Sequence, residues 1–326
     1  MDAAAFHKDI VEPCQPVALS GLVKDWAAVR AAEAPGGLRA YLRRFAAVRP
    51  IEAFFGKPGI AGKYYYNGDL TGFNFERRMM SFPEALTAIF TQRHGPDAET
   101  VYLGSVPADD YLPGFAAENS MALAGAAAAP RLWIGHEANI SSHYDAFDNL
   151  ICNVAGTRRF TLYPPDCIGK LYVGPIDNNM AGQPVSLAAS LPEDPERFPL
   201  FAEVKDRAIH IVLEPGDALY LPKLWWHQVE STGSLNAMVN YWWDATASGP
   251  DAPYTALLLA MIAIAERPPA ERHAWKAFFD HYVFRGNGHP LAHLPPQQHG
   301  LLGPLKPDNY GRIRARIMYL LRSFGG

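Results

Sequence analysis

Apolar residues spaced three and four apart follow Ser20-Gly21 at Leu22, Val23, Trp26 and Val29, and the same spacing returns over 82–89, so both stretches predict helices. Between them the pattern changes to aromatic runs, Phe54-Phe55, Tyr64-Tyr65-Tyr66 and Phe73-Asn74-Phe75, punctuated by Asn67-Gly68. That pattern predicts strands and turns. The alanine-rich stretch 121–130 predicts a short helix that stops at Pro130.

From residue 101 to 243 short β-type runs dominate, at 101–103, 131–134, 150–154, 159–163, 208–213, 218–221 and 237–243. Turn residues separate nearly all of them. In Glu214-Pro215-Gly216-Asp217, Pro at the second position and Gly at the third predict a type II turn between two strands. Many short strands with such punctuation imply a sandwich or barrel rather than a βαβ sheet. After Pro250 the periodicity becomes helical over 254–266, 270–284 and 309–321, interrupted by a Pro-, His- and Gly-rich loop at 286–304. The expected organisation is a mainly β domain with flanking helices over 1–249 and a helical segment over 250–326, with no internal repeat.

Composition narrows the class. The chain has 326 residues, 49% of them apolar and 19% charged, which excludes a disordered or fibrous protein. Lys and Arg number 29 against 33 Asp and Glu, a net charge of −4, so no general hold on nucleic acid or an anionic membrane is expected. Arg312, Arg314, Arg316 and Arg322 read as the solvated side of an amphipathic helix. Cys14, Cys152 and Cys167 form no C-x-x-C pair, which excludes a disulfide framework or zinc knuckle and suits a reducing compartment. Residues 1–13 show no apolar core of a secretory signal, so a cytoplasmic location is expected. The longest apolar run, 256–265, falls short of the roughly 18 residues of a membrane span and predicts a buried helix.

Among the 11 histidines, two stand in a chemical pattern. His143-Tyr144-Asp145 puts two ligand types two residues apart, so at a strand end both side chains share a face. His227 follows 82 residues after Asp145, beyond the strand-like run 217–222. Two imidazoles and one carboxylate on one face of a metal leave the opposite face open, an arrangement suited to non-haem Fe(II), with Mn(II) or Zn(II) also compatible. His136 reads as a locally hydrogen-bonded loop residue and His210 as an ordinary strand residue. One of Trp225 and Trp226 belongs in the core, and the other is a candidate for the mouth of the site.

The surrounding text extends the pattern. His143-Tyr144-Asp145-Ala146-Phe147-Asp148-Asn149-Leu150, the segment from Val154-Ala155-Gly156-Thr157-Arg158-Arg159 to Tyr163-Pro164-Pro165, Glu214-Pro215-Gly216-Asp217 and Trp225-Trp226-His227-Gln228 together resemble the cupin-like JmjC family of Fe(II)/2-oxoglutarate dioxygenases. The likeness is nearest to its asparaginyl-hydroxylase-like branch, covers about 100–243 well, and extends loosely to Pro16-Val17-Ala18-Leu19.

The resemblance implies a double-stranded β-helix with iron held by His143, Asp145 and His227. It implies an oxygenase, hydroxylase or demethylase, that couples oxidative decarboxylation of 2-oxoglutarate by dioxygen to oxidation of a substrate C–H bond. The substrate class stays open among protein, peptide and small molecule. Family members anchor the distal carboxylate of 2-oxoglutarate with a lysine fifteen residues after the first ligand histidine, and that position here is Arg158, with Arg159 next in line. Tyr102 matches a tyrosine that serves the same carboxylate, and Asn149 and Asn240 match polar positions beside the co-substrate. Ile140 stands where the family shows threonine. Tyr64, Tyr65, Tyr66, Phe73 and Phe75 are candidates for a substrate-facing wall or for plain core packing. Carboxy-terminal helices pair subunits in that branch, which implies a homodimer. Two rival readings are a cupin-like module that binds without turnover, suggested by Arg158 and Ile140, and a metal-dependent cupin of other chemistry such as an isomerase.

Overall fold

A computed structural model of the chain describes all residues except 69, 92–97, 126–127, 177–182, 192, 247–250, 305–306 and 324–326. It divides into one unit over Met1–Ala245 and another over Thr246–Gly326.

The first unit is built on an 11-stranded sheet: β1 Val17–Leu19, β2 Pro50–Gly56, β3 Lys63–Tyr64, β4 Phe75–Ser81, β5 Thr100–Pro107, β6 Pro130–Gly135, β7 Ala138–His143, β8 Asp148–Tyr163, β9 Ile209–Leu213, β10 Ala218–Leu221 and β11 Trp226–Trp243. Pairing is antiparallel except between β3 and β7. The long strands β8 and β11 run beside each other and each takes part in two layers. The first half of β8 and the second half of β11 lie in the path β1-β10-β8-β11-β6-β5-β2-β4. Their other halves pair with β9 and with β7, which carries β3. Ile151, Leu219 and Met238 of one layer pack with Phe160, Leu162, Leu213 and Val229 of the other. This is the double-stranded β-helix expected from the resemblance.

Two runs read in the sequence as separate strands are continuous. Residues 150–154 and 159–163 both belong to β8, which passes through Gly156 with φ 72°, and residues 237–243 are the end of β11. Register shifts between Thr232 and Met238 mark the bulge. The bulge changes which residues face inward. Asn149, Ile151 and Asn153 point between the layers before Gly156, and Arg158, Phe160 and Leu162 after it, an odd-to-even switch that strict alternation forbids. A Cβ on Gly156 would lie 2.1 Å from Asn236 Oδ1, so the bulge depends on glycine.

The outer face of the long sheet path carries the larger core. There Phe6, Leu42, Phe82, Leu86 and Ile89 from the amino-terminal helices, with Val23 from the turn before Ala27, pack in one core with Val101, Leu103, Ile134 and Val239. The helix Phe82–Thr91 forms as its spacing predicts, and Ser81 and Glu84 exchange the reciprocal bonds of a capping box at its start. The turn at Glu214–Asp217 also forms as read, with Gly216 at φ 97° and Asp217 N–H donating to the Glu214 carbonyl. Two helix expectations differ. The helix after Ser20 begins only at Ala27, because Gly21 (φ 65°) holds a turn first. The described part of 121–130 is not helical. Ala124 is instead packed into the core, and a ten-residue alanine-rich stretch is too short to be a stable helix without tertiary support.

The second unit holds the helices Pro253–Ile264, Pro269–Phe279 and Pro307–Ser323, close to the expected spans. The expected burial of 256–265 does not occur in the single chain: no residue of Pro253–Ile264 is buried, and Ile262 is 83% exposed. Among the described residues no helix is long and apolar enough to cross a membrane.

Candidate metal centre

His143 ends β7 and His227 is the second residue of β11, and the register of the two strands sets them directly opposite each other, with ring centroids 4.3 Å apart. Asp145 follows His143 by two residues and brings Oδ2 to 3.8 Å from His227 Nε2. One ligand atom from each of the three lies within 4.8 Å of the others, and among the described residues no other such cluster of three occurs.

Both histidines are oriented in the same way. His143 Nδ1 sits 2.8 Å from the Ser141 carbonyl and His227 Nδ1 3.0 Å from the Trp225 carbonyl, each two residues upstream. A carbonyl only accepts, so Nδ1 carries the proton in each ring and Nε2 keeps its lone pair for a metal. Burial pushes His227 down to about 4, His143 beside it pushes the same way, and Asp145 opposes them. The imidazole is thus neutral, the form a metal requires.

Asp145 is held by a relay of amides. Trp133 Nε1 donates to Asn240 Oδ1 at 2.7 Å, Asn240 Nδ2 to Asn149 Oδ1 at 3.0 Å, and Asn149 Nδ2 to Asp145 Oδ2 at 3.1 Å. The indole can only donate, so it fixes the orientation of both amides behind it. Trp242 Nε1 adds a second bond to the same carboxylate oxygen at 3.2 Å.

Arg158 is 2% exposed and has no acidic partner among the described residues. Its Nε donates to Asn153 Oδ1 at 3.1 Å, and Asn153 spends its own amide on the Gly156 and Leu213 carbonyls. Arg158 Nη2 has no acceptor among the described residues. Burial lowers this guanidinium to about 10 and raises Tyr102 to about 12, with the Arg158 charge pulling Tyr102 back. Arg159 points the other way and reaches Glu230 on the surface.

All seven residues singled out in the sequence, Tyr102, His143, Asp145, Asn149, Arg158, His227 and Asn240, line one cavity of about 50 Å³. Ile140 lines it too and offers no hydroxyl. A second cavity of about 280 Å³ shares His143, Tyr102, Ile140, Trp133 and Trp242 with the first and adds Phe54, Tyr64 and Phe75. Of the aromatic residues proposed for a wall, Tyr64 and Phe75 line this space, whereas Tyr65 and Tyr66 pack with Val185 in a separate cluster. Trp225 and Trp226 are both core, facing opposite clusters, so neither forms the mouth. His136 is a buried brace between Ile89 and Val101, not a ligand. Asn153, Trp133 and Trp242 were missed. Asn153 shares a face with Asn149, and Trp242 with Asn240, so alternation from those two positions points to them.

Whether these residues fit the groups they are expected to hold can be tested on the donor set. Two free Nε2 atoms and a carboxylate on one side suit Fe(II), and the unsatisfied Arg158 Nη2 in the same cavity suits the far carboxylate of a dicarboxylate such as 2-oxoglutarate.

Comparison with known proteins agrees with this geometry. A family model described as a cupin-like domain matches residues 3–249. The Jumonji C domain-containing protein 5 of Drosophila melanogaster is 38% identical over 116 residues, 35% of this chain and 27% of that protein. The lysine-specific demethylase JMJ31 of Arabidopsis thaliana is 35% identical over 109 residues, 33% of this chain and 19% of that protein. Human HSPB1-associated protein 1 is 31% identical over 149 residues, 44% of this chain and 30% of that protein. The matched stretch therefore spans less than a third of the length of each of these relatives.

Proposed function

The chain belongs to the cupin-like domain family and has Jumonji C relatives, and from that premise we propose that it is an Fe(II)- and 2-oxoglutarate-dependent oxygenase. The observation that carries the reading is Arg158: a buried guanidinium with an unsatisfied Nη2 faces the same small cavity as His143, Asp145 and His227. A buried cation without an acidic partner is costly to the folded state, and an anion in the cavity offsets that cost.

When bound together, iron, 2-oxoglutarate and dioxygen supply oxidative decarboxylation of the co-substrate coupled to oxidation of a substrate C–H bond. His143, Asp145 and His227 bind the metal. Asn149 and Asn240 hold the Asp145 carboxylate in place. Arg158 pairs with the distal carboxylate, with Tyr102 beside it, and Ile140, Phe160 and Val229 keep water from the inner cavity.

The test is anaerobic titration of the Fe(II)-loaded protein with 2-oxoglutarate, read by the visible metal-to-ligand charge-transfer band that bidentate chelation produces. A band that weakens in Arg158→Ala is the expected result. Iron that binds without a band at millimolar 2-oxoglutarate would sink the oxygenase reading in favour of a cupin-like binding module, the alternative that Ile140, with no hydroxyl in the cavity, favours.

The protein is further proposed to be a homodimer, because the helix Pro253–Ile264 is apolar on every side and unburied in the single chain, with Leu257 50% and Ile262 83% exposed. Its cysteines are unpaired, two of them buried, which supports a reducing compartment such as the cytoplasm.

A further inference from the structure

The outer cavity is bounded by an arc of rings in edge or tilted contact, Phe54, Phe75, Tyr64, Tyr102, Trp133 and Trp242, with successive centroids 5.2 to 6.4 Å apart. It exists because of a bulge in β5. Leu103 pairs with Ile134 and Val106 with Leu132, so Gly104 and Ser105 together oppose Trp133. Ser105 takes φ 56°, and Arg131 locks it there, donating from Nε to the Ser105 hydroxyl and from Nη2 to its carbonyl. The bulge leaves Gly104 facing the Trp133 ring, where a Cβ would sit 3.1 Å from the indole.

The charged side chains that stack on the rings of this space are arginines. Among the described residues no aspartate or glutamate lines it; Asp145 lies in the adjoining cavity, where it accepts from Trp242 Nε1. The Arg77 guanidinium stacks on Phe54 at 5.4 Å and on Phe75 at 6.0 Å, and Arg131 lies 5.7 Å from the Trp242 ring. Three of the six rings, Phe54, Phe75 and Trp242, thus already serve arginines, whose charge disfavours a methylated ammonium beside them, and a third, buried arginine, Arg158, stands in the adjoining cavity.

Resting on the oxygenase reading, we propose that the group oxidised is an uncharged, apolar hydrocarbon group seated in the outer cavity, and that the reaction is hydroxylation at carbon rather than removal of a methyl group from a charged nitrogen. The balance is R–H + O₂ + 2-oxoglutarate → R–OH + succinate + CO₂. One oxygen atom enters the new C–O bond, the other enters the succinate carboxylate, and the bond between the oxo carbon and its carboxylate breaks.

The pocket is tested apart from turnover by ligand-observed NMR on the metal-free full chain, with toluene and tetramethylammonium as probes. Toluene is expected to bind about tenfold or more tightly than tetramethylammonium. Gly104→Leu, whose side chain fills the space beside Trp133, should weaken toluene by about tenfold or more while near-ultraviolet circular dichroism shows native packing. Should that variant not fold, Gly104→Ala is the smaller plug and should weaken toluene to a lesser degree. Tetramethylammonium binding as tightly as toluene overturns the proposal, as does toluene binding that ignores both substitutions. The charge-transfer titration keeps the two readings apart: toluene binding without the band removes the oxygenase reading, and the band without toluene binding removes this one.

Discussion

Arg158 Nε donates to Asn153 Oδ1 at 3.1 Å, and this bond aims the remaining guanidinium nitrogens of a side chain that is 2% exposed into the cavity beside the metal ligands. The pair lies five residues apart on one strand, either side of the Gly156 bulge. Under the proposed function this arginine is an anion receptor held at a cost to the fold, and that trade can be measured.

Arg158→Met should leave the metal-free protein as stable as the parent or up to about 2 kcal/mol more stable, because an unpaired buried charge is replaced by an apolar side chain of similar length. The same variant should lose both the charge-transfer band and the stabilisation that 2-oxoglutarate gives the parent in a thermal melt. A strong destabilisation of the metal-free form would make Arg158 a structural residue instead.

Asn149→Ala should weaken Fe(II) binding by about 10- to 100-fold, the usual effect of removing a group that orients a metal ligand. Its amide is the last link of the relay from Trp133 to Asp145. Anaerobic calorimetric titration checks this, and an unchanged affinity would mean that the Trp242 bond alone holds the carboxylate.

Gly156→Ala combines φ 72° with a Cβ 2.1 Å from Asn236 Oδ1, so it should cost about 2 kcal/mol or more in denaturant unfolding. In whatever fraction folds, affinity for 2-oxoglutarate should fall, since the bulge is what brings Arg158 to the inner face. Retained affinity together with lost stability would separate the bulge from the site.

His136→Ala strands the Val101 N–H and the Ile89 carbonyl in a buried position and should destabilise the fold by about 2–4 kcal/mol. Metal stoichiometry should stay at one ion per chain. A fall in stoichiometry would reopen His136 as a ligand.

Light scattering at micromolar concentration should give twice the 35.9 kDa chain mass. Ile262→Glu, which puts a charge at the most exposed apolar position of the helix Pro253–Ile264, should shift the mass to that of one chain. A parent already at one chain mass removes the dimer.

Much of the site was legible because its chemistry is local in sequence. His143 and Asp145 announce themselves by spacing, and Glu214-Pro215-Gly216-Asp217 spells its turn outright. What was not legible depends on pairing across the sheet. Gly156 reads as a break between two strands, whereas neighbouring strands carry the chain through it, and only that continuity explains why position 158, not 159, turns inward. Trp225 and Trp226 looked divisible into one core and one mouth residue, but alternation merely sends them into two different cores. The alanine run near residue 124 has helix propensity that packing overrides. The apolar helix Pro253–Ile264 was correctly read as apolar, yet no periodicity can say whether its cover lies in the same chain.

The two long strands also set where the molecule can breathe. Each of the three candidate metal ligands either belongs to β11, pairs with it, or follows within two residues of a strand that does, and Arg158 sits in the middle of β8. Amides along this pair are bonded on both flanks, so their hydrogen exchange should require global opening. One side of the outer cavity, Phe54, Tyr102, Gly104 and Ser105, comes from β2 and the bulged β5, where the ladder is interrupted at Gly104 and Ser105. Exchange there can proceed through local excursions. Movement of this one side therefore opens the outer cavity while the inner centre keeps its shape.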